Sequence, residues 1–169
     1  MHVHPCSRCS FKCWPAENMA ALIDRLHAEA WPVVLTAAPD PTETGMIDEI
    51  LRRLARPVAA NFSGQLSLKE LAALSARAKL FVGVDSAPMH IAAAVGTPAV
   101  ALFGPSGEAL WAPWGVPRSG RHRVVASAGY SCRPCGLDGC GGGKVSDCLV
   151  TLEVERVWAA VREQLVQET

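Results

Sequence analysis

With 169 residues, half of them hydrophobic, the chain suits one domain able to bury on the order of two-thirds of its unfolded surface. Its 16 basic residues balance 16 acidic ones, and no run of five like charges occurs. This excludes a protein that grips nucleic acid by bulk charge, so any bound anion is held by local geometry.

In chain order, Met1-His2-Val3-His4-Pro5 carries neither a basic stretch nor an apolar stretch of signal-peptide length. Residues 15–30 place Met19, Leu22, Ile23 and Leu26 at helical spacing, with Pro15 suited to a first helical turn. Pro32-Val33-Val34-Leu35-Thr36 reads as a short buried strand, and residues 42–54 repeat the helical pattern through Met46, Ile47, Ile50, Leu51 and Leu54. Ser67-Leu68-Lys69-Glu70 is a capping box that opens a helix through Leu71 and Leu74. Residues 80–84 and 99–103 are compact apolar strands flanking a helix that starts near Pro88. The apolar region 87–103 is interrupted by Pro88, His90, Gly96 and Pro98, so it is not a membrane span. Residues 114–144, rich in Gly, Arg and Pro, are the loosest stretch. A last helix over 152–165 aligns Val154, Val157, Trp158, Val161 and Leu165 on one stripe.

Short apolar strands alternating with helices predict an α/β fold, a Rossmann-like doubly wound parallel sheet. Residues 1–169 show no internal repeat or linker. In such sheets ligands bind at the carboxyl ends of the strands, beside helix amino termini.

The segment Phe81-Val82-Gly83-Val84-Asp85-Ser86-Ala87-Pro88-Met89-His90 is a strand running into a helix start. That start offers unpaired N–H groups and a partial positive charge suited to phosphate, with His90 in the first turn. The same spacing equally allows Asp85 and Ser86 to act as plain helix caps. A second strand ends in Phe103-Gly104-Pro105-Ser106-Gly107, a small-residue turn expected beside the first as the other half of a cradle. Neither is a Walker loop, and no Gly-x-Gly-x-x-Gly is present, which weighs against P-loop and NAD-linked chemistry.

Val84-Asp85-Ser86-Ala87-Pro88-Met89-His90-Ile91-Ala92-Ala93-Ala94, then Gly96-Thr97-Pro98 and Leu102-Phe103-Gly104-Pro105, resembles the donor-site signature of the heptosyltransferases, glycosyltransferase family nine. Ser7-Arg8 and Phe11-Lys12-Cys13-Trp14-Pro15 resemble the family's loop after the first strand of its carboxy-terminal domain. The cysteine-bearing segments around Cys132 and Lys144 are most similar to the enzymes that add the third heptose. The resemblance implies a two-domain GT-B enzyme of which residues 1–169 are the donor-binding half, with the amino-terminal acceptor domain and its general base absent from this chain. It implies inverting, metal-independent transfer of heptose from ADP-heptose to the inner core of lipopolysaccharide, with no cofactor required. Lys12 is then expected on the diphosphate and Ser7 on a phosphate oxygen. Asp85, Ser86, Ala87 and His90 match the donor loop, Glu43 the acid on the ribose, and Leu66 the adenine slot. Cys6 and Cys9 depart from the family pattern, as does Ala87, where Gly is common; a thiol is a poorer donor than a hydroxyl. The implied partners are the nucleotide sugar and the core acceptor. The implied location is the cytoplasm, including the cytoplasmic face of the inner membrane.

Seven cysteines, an odd count, favour a reduced compartment. Cys132, Cys135, Cys140 and Cys148 offer a four-thiolate zinc set, although the second pair is too widely spaced for a standard ribbon. Arg133 and Lys144 are expected to be solvated. Because the family's final helix crosses back towards the partner domain, the Trp158 stripe is expected to be exposed and to drive self-association. Two rivals remain at this level: a non-catalytic nucleotide-binding module, and a relative using a different nucleotide sugar.

Overall fold

The computed structural model describes residues 1–115 and 121–167. Six parallel strands form one sheet: β1 (His2–His4), β2 (Val34–Leu35), β3 (Ala60–Asn61), β4 (Phe81–Val84), β5 (Ala99–Phe103) and β6 (His122–Ala126). Their spatial order is β3-β2-β1-β4-β5-β6, so the direction of winding reverses between β1 and β4. The helices are α1 (Ala16–Ala28), α2 (Pro41–Arg53), α3 (Leu68–Ala76), α4 (Ala87–Ala94), α5 (Glu108–Trp111), α6 (Asp147–Val150) and α7 (Val154–Gln167). This is the expected doubly wound α/β sheet, and its reversal point is where such folds open a ligand crevice.

Two apolar layers sandwich the sheet. Because successive strand residues point to opposite faces, Val3, Val82, Val84, Val100 and Leu102 enter the larger cluster, with Met19, Leu22, Ile23, Leu26, Ile47 and Ile50 of α1 and α2. Phe81, Ala99, Ala101 and Phe103 face the other way, onto Met89 and Ala92 of α4. His2 and His4 share that second face, flanking Val3 in β1. Gly83 leaves no room for a side chain there: a Cβ would stand 2.6 Å from the His4 carbonyl oxygen and 2.8 Å from the Phe81 ring.

The capping box forms as expected: the Ser67 hydroxyl accepts from the Glu70 N–H, and the Glu70 carboxylate accepts from the Ser67 N–H at 2.8 Å. Pro15 sits at the N-cap of α1 rather than inside it. β1 is expected through the family resemblance alone, and β3 and β6 have no counterpart in the sequence reading. Both lie at sheet edges, where one flank of the backbone and much of the side-chain surface are solvated, so no apolar run is required. β6 falls within the stretch expected to be loosest; residues 116–120 of that stretch lie outside the described residues.

The final helix corrects an expectation. Val157 and Val161 are fully buried, Leu165 is buried, and Val154 and Trp158 pack half-buried against the main core. The stripe thus completes this chain's own core instead of forming an exposed patch, and self-association through it loses its physical basis. The indole of Trp14 donates to the Leu152 carbonyl at 2.9 Å, and Arg25 pairs with Glu155, tying α7 to the opening segments. Among the described residues no helix is long and apolar enough to cross a membrane.

Candidate functional site

At the reversal point the chain leaves β1 as Pro5-Cys6-Ser7-Arg8-Cys9 and makes a 3-10 turn, Ser10–Lys12, before α1. It leaves β4 directly into the start of α4. Between these exits lies a cavity of about 510 Å³. All eight residues assigned from the sequence, Ser7, Lys12, Glu43, Leu66, Asp85, Ser86, Ala87 and His90, line it. They come from four separate segments of the chain, so their meeting is a property of the fold and not of local sequence.

Lys12 donates to the Asp85 carboxylate at 2.8 Å, with the lysine partly exposed and the aspartate buried. Asp85 therefore holds the ammonium at the cavity instead of capping α4. Nor does Ser86 cap it, since its hydroxyl donates back to the Val84 carbonyl at 3.2 Å and makes no side-chain capping bond. No side chain caps this helix start, whose unpaired N–H groups carry a partial positive charge. Ala87 has a negative φ; Ala30 and Lys144 are the non-glycine residues with positive φ among the described residues. Alanine in the place of the common glycine is therefore unstrained. His90 is exposed at the rim. The Ser7 hydroxyl accepts from the Cys9 N–H at 3.3 Å, which leaves its own proton free.

Glu43 stands in the first turn of α2, whose N-cap, Asp40, accepts from the N–H groups of Thr42 and Glu43. The cap is thus Asp40, and the Glu43 side chain is free to turn inward. It is buried, accepts from the Ala38 N–H at 2.9 Å, and lies 3.9 Å from His4 Nε2. Leu66, half-buried, joins Ala37, Pro39, Leu68 and Leu71 in an apolar wall on this side. The lining thus combines charged and polar groups with an apolar wall.

Several lining residues escaped the sequence reading. Arg8, exposed and without a partner among the described residues, adds a second cation beside Lys12; it stood in the quoted loop without a role. His4 and Thr36 sit at strand ends, where no spacing signal marks them. Trp111 reaches the cavity from α5, while its neighbours Leu110 and Trp114 are highly exposed. Cys6 is fully buried; burial pushes its thiol up, and it donates weakly to the Glu43 carbonyl at 3.5 Å. Cys13 is pushed up to about 11, chiefly by burial, so neither is a reactive thiolate at neutral pH.

Other expectations are corrected. The turn at Phe103–Gly107 does not line the cavity: Gly104 is packed against Leu149 and its carbonyl accepts from Arg133 Nε at 2.6 Å. Arg133, expected to be solvated, is nearly buried and also donates to Ser127 O and the Glu108 carboxylate. Lys144 is exposed as expected, paired with Asp138 at 2.6 Å. Cys132, Cys135 and Cys140 are exposed while Cys148 is buried, all four free thiols, and among the described residues no three His, Cys, Asp or Glu side chains are grouped to hold a metal. The four-cysteine set therefore forms no metal group among the described residues, in a segment where Gly136, Gly139, Gly141 and Gly142 adopt positive φ. That segment instead braces the cavity loop from behind: the Ser146 hydroxyl donates to the Phe11 carbonyl at 2.7 Å, and the Ser10 hydroxyl to the Lys144 carbonyl at 3.4 Å.

A doubly wound parallel sheet with a crevice at its reversal point defines a Rossmann-like class of fold. Comparison with known proteins narrows it: the family model for glycosyltransferase family 9 (heptosyltransferase) matches residues 1–143, and the chain belongs to that family. It is 44% identical to lipopolysaccharide heptosyltransferase 3 of Escherichia coli over 112 residues, which is 66% of this chain and 33% of that protein. The solved structure of E. coli ADP-heptose LPS heptosyltransferase II aligns over 99% of this chain and 46% of its own length, at 28% identity and a TM-score of 0.78. A family 9 glycosyltransferase from Veillonella parvula, 23% identical, has the same fold over 99% of this chain and 46% of that one, with a TM-score of 0.79. The chain thus spans about a third of the curated relative and under half of the solved ones. The expected likeness to the third-heptose enzymes is borne out at this level.

Proposed function

We propose that this chain is the donor-binding half of an ADP-heptose:lipopolysaccharide heptosyltransferase, holding the nucleotide sugar while a further domain presents the lipopolysaccharide core acceptor. The observation that carries this reading is the cavity at the β1/β4 reversal, whose lining brings together Lys12, Arg8, the uncapped start of α4, Glu43 and the apolar Leu66, Leu68 and Leu71. In an inverting transfer an acceptor hydroxyl attacks the anomeric carbon and the diphosphate departs. Negative charge then grows on the leaving phosphate, and fixed positive groups stabilise it most effectively when they need no rearrangement. Lys12, held by Asp85, and the backbone N–H groups at residues 86 and 87 fill that role, with Ser7 donating to a phosphate oxygen and His90 at the rim. Glu43 accepts from ribose hydroxyls, and Leu66 packs on the base. The base that deprotonates the acceptor lies outside this chain, as does the acceptor site. The reaction so described runs in the cytoplasm, at or near the inner face of the membrane that carries its acceptor.

Calorimetric titration with ADP and, separately, UDP tests the reading. Saturable ADP binding is expected, weakened at least about tenfold by Lys12→Ala and not matched by UDP. An absence of saturable heat at millimolar ADP, or an unchanged affinity in the variant, overturns it. Equal affinity for UDP favours a relative using another nucleotide sugar.

A further inference from the structure

A chain of buried polar groups runs from the buried face of α3 to the cavity. The Ser75 hydroxyl lies 3.0 Å from His2 Nδ1, His2 Nε2 lies 2.8 Å from the Thr36 hydroxyl, and that hydroxyl lies 2.8 Å from His4 Nδ1. His4 Nε2 then faces the Glu43 carboxylate across 3.9 Å, beyond hydrogen-bond range. Ser75 and His2 are fully buried, and Thr36 and His4 nearly so. Burial pushes His2 down to about 4 and His4 down to about 3, so at neutral pH each ring carries one N–H and one lone pair.

Only one direction of donation satisfies every member. Among the described residues the Ser75 hydroxyl has His2 as its sole partner, so its proton goes to His2 Nδ1. His2 Nε2–H then donates to Thr36, and the Thr36 hydroxyl donates to His4 Nδ1. His4 is left with its proton on Nε2, aimed at the carboxylate. Reversed, the chain strands the buried Ser75 proton and turns a His4 lone pair towards negative charge, both unfavourable.

We infer that Ser75, His2 and Thr36 are positioning residues that lock His4 as the Nε2–H tautomer, so that His4 and Glu43 form a donor–acceptor pair on the cavity wall that recognises a ligand hydroxyl. A hydroxyl accepts one bond and donates another, and it fits between a donor and an acceptor too far apart to satisfy each other. A phosphate has no proton to give Glu43 and is repelled by its carboxylate, so the group selected is a sugar hydroxyl. The ligand half of this inference rests on the nucleotide-sugar reading; the tautomer half does not.

Two measurements separate them. Long-range proton–nitrogen NMR of the ligand-free, histidine-labelled chain, assigned by comparison with His4→Gln, is expected to show the His4 proton on Nε2; a proton on Nδ1 overturns the relay whatever the ligand is. Affinity is then measured for ADP, 2′-deoxy-ADP and 3′-deoxy-ADP in the native chain and in Ser75→Ala, a site outside the cavity lining. The native chain is expected to bind one deoxy analogue at least about tenfold more weakly than ADP, and Ser75→Ala to reduce that discrimination to about threefold or less. Equal binding of all three nucleotides by the native chain, or full discrimination retained in folded Ser75→Ala, contradicts the recognition pair. Failure of ADP itself to bind removes the nucleotide reading, while the NMR result still decides the relay.

Discussion

Lys12 and Asp85 show how a loop lysine becomes a site residue. Spacing alone leaves Lys12 as one lysine among the chain's sixteen basic residues; the sheet reversal brings it within 2.8 Å of a buried carboxylate 73 positions away. The buried histidines illustrate the opposite limit, since nothing in Met1-His2-Val3-His4 signals that both rings are enclosed. Their enclosure has a thermodynamic consequence. Each ring's pKa is depressed in the folded chain relative to about 6.5 unfolded, so protonation favours unfolding. Stability is fully present above about pH 6.5 and declines as pH falls towards 4, with a slope approaching about 1.4 kcal/mol per pH unit for each histidine. Urea unfolding at pH 7.0 and 5.0 is expected to show a clearly lower midpoint at pH 5.0; equal midpoints contradict the buried, neutral assignment.

Among the elements, those with strong local chemistry were legible and those held by context were not. The capping box of α3, the periodicity of α1 and α2 and the unbroken apolar runs of β4 and β5 each declare themselves over a few residues. The two-residue β3 and the His-Arg-containing β6 do not, because their pairing partner supplies what their own sequence lacks. Ser67→Ala is expected to cost about 1 kcal/mol by removing the acceptor for Glu70 N–H, read as a shift in urea midpoint with unchanged slope. Gly83→Ala tests the close approach of β4 to β1: overpacking against the His4 carbonyl and the Phe81 ring is expected to cost on the order of 1–3 kcal/mol. A neutral Gly83→Ala denies that approach.

For the molecule as a whole, the fold class and the eight lining residues could be read in advance, whereas the strand order, the fate of α7 and that of the cysteine-rich segment could not. An amphipathic stripe says that a helix buries one face without saying against what; here Val157 and Val161 meet this chain's own core. Val161→Ala is accordingly expected to lower global stability by about 2 kcal/mol, and a change within experimental error denies that docking. The cysteines match a ligand pattern in one dimension, but no three ligating side chains gather among the described residues, and the segment instead brings Ser146 onto the cavity loop.

The central claim is that a nucleotide's diphosphate rests against the open start of α4, steadied by Lys12. A crystal structure of the chain with ADP tests it most directly. Phosphate oxygens are expected within hydrogen-bond distance of the N–H groups at 86 and 87 and of Lys12 Nζ, with the adenine against Leu66. ADP seated elsewhere, or a cavity that stays closed by the Lys12–Asp85 pair with no phosphate contact, contradicts it.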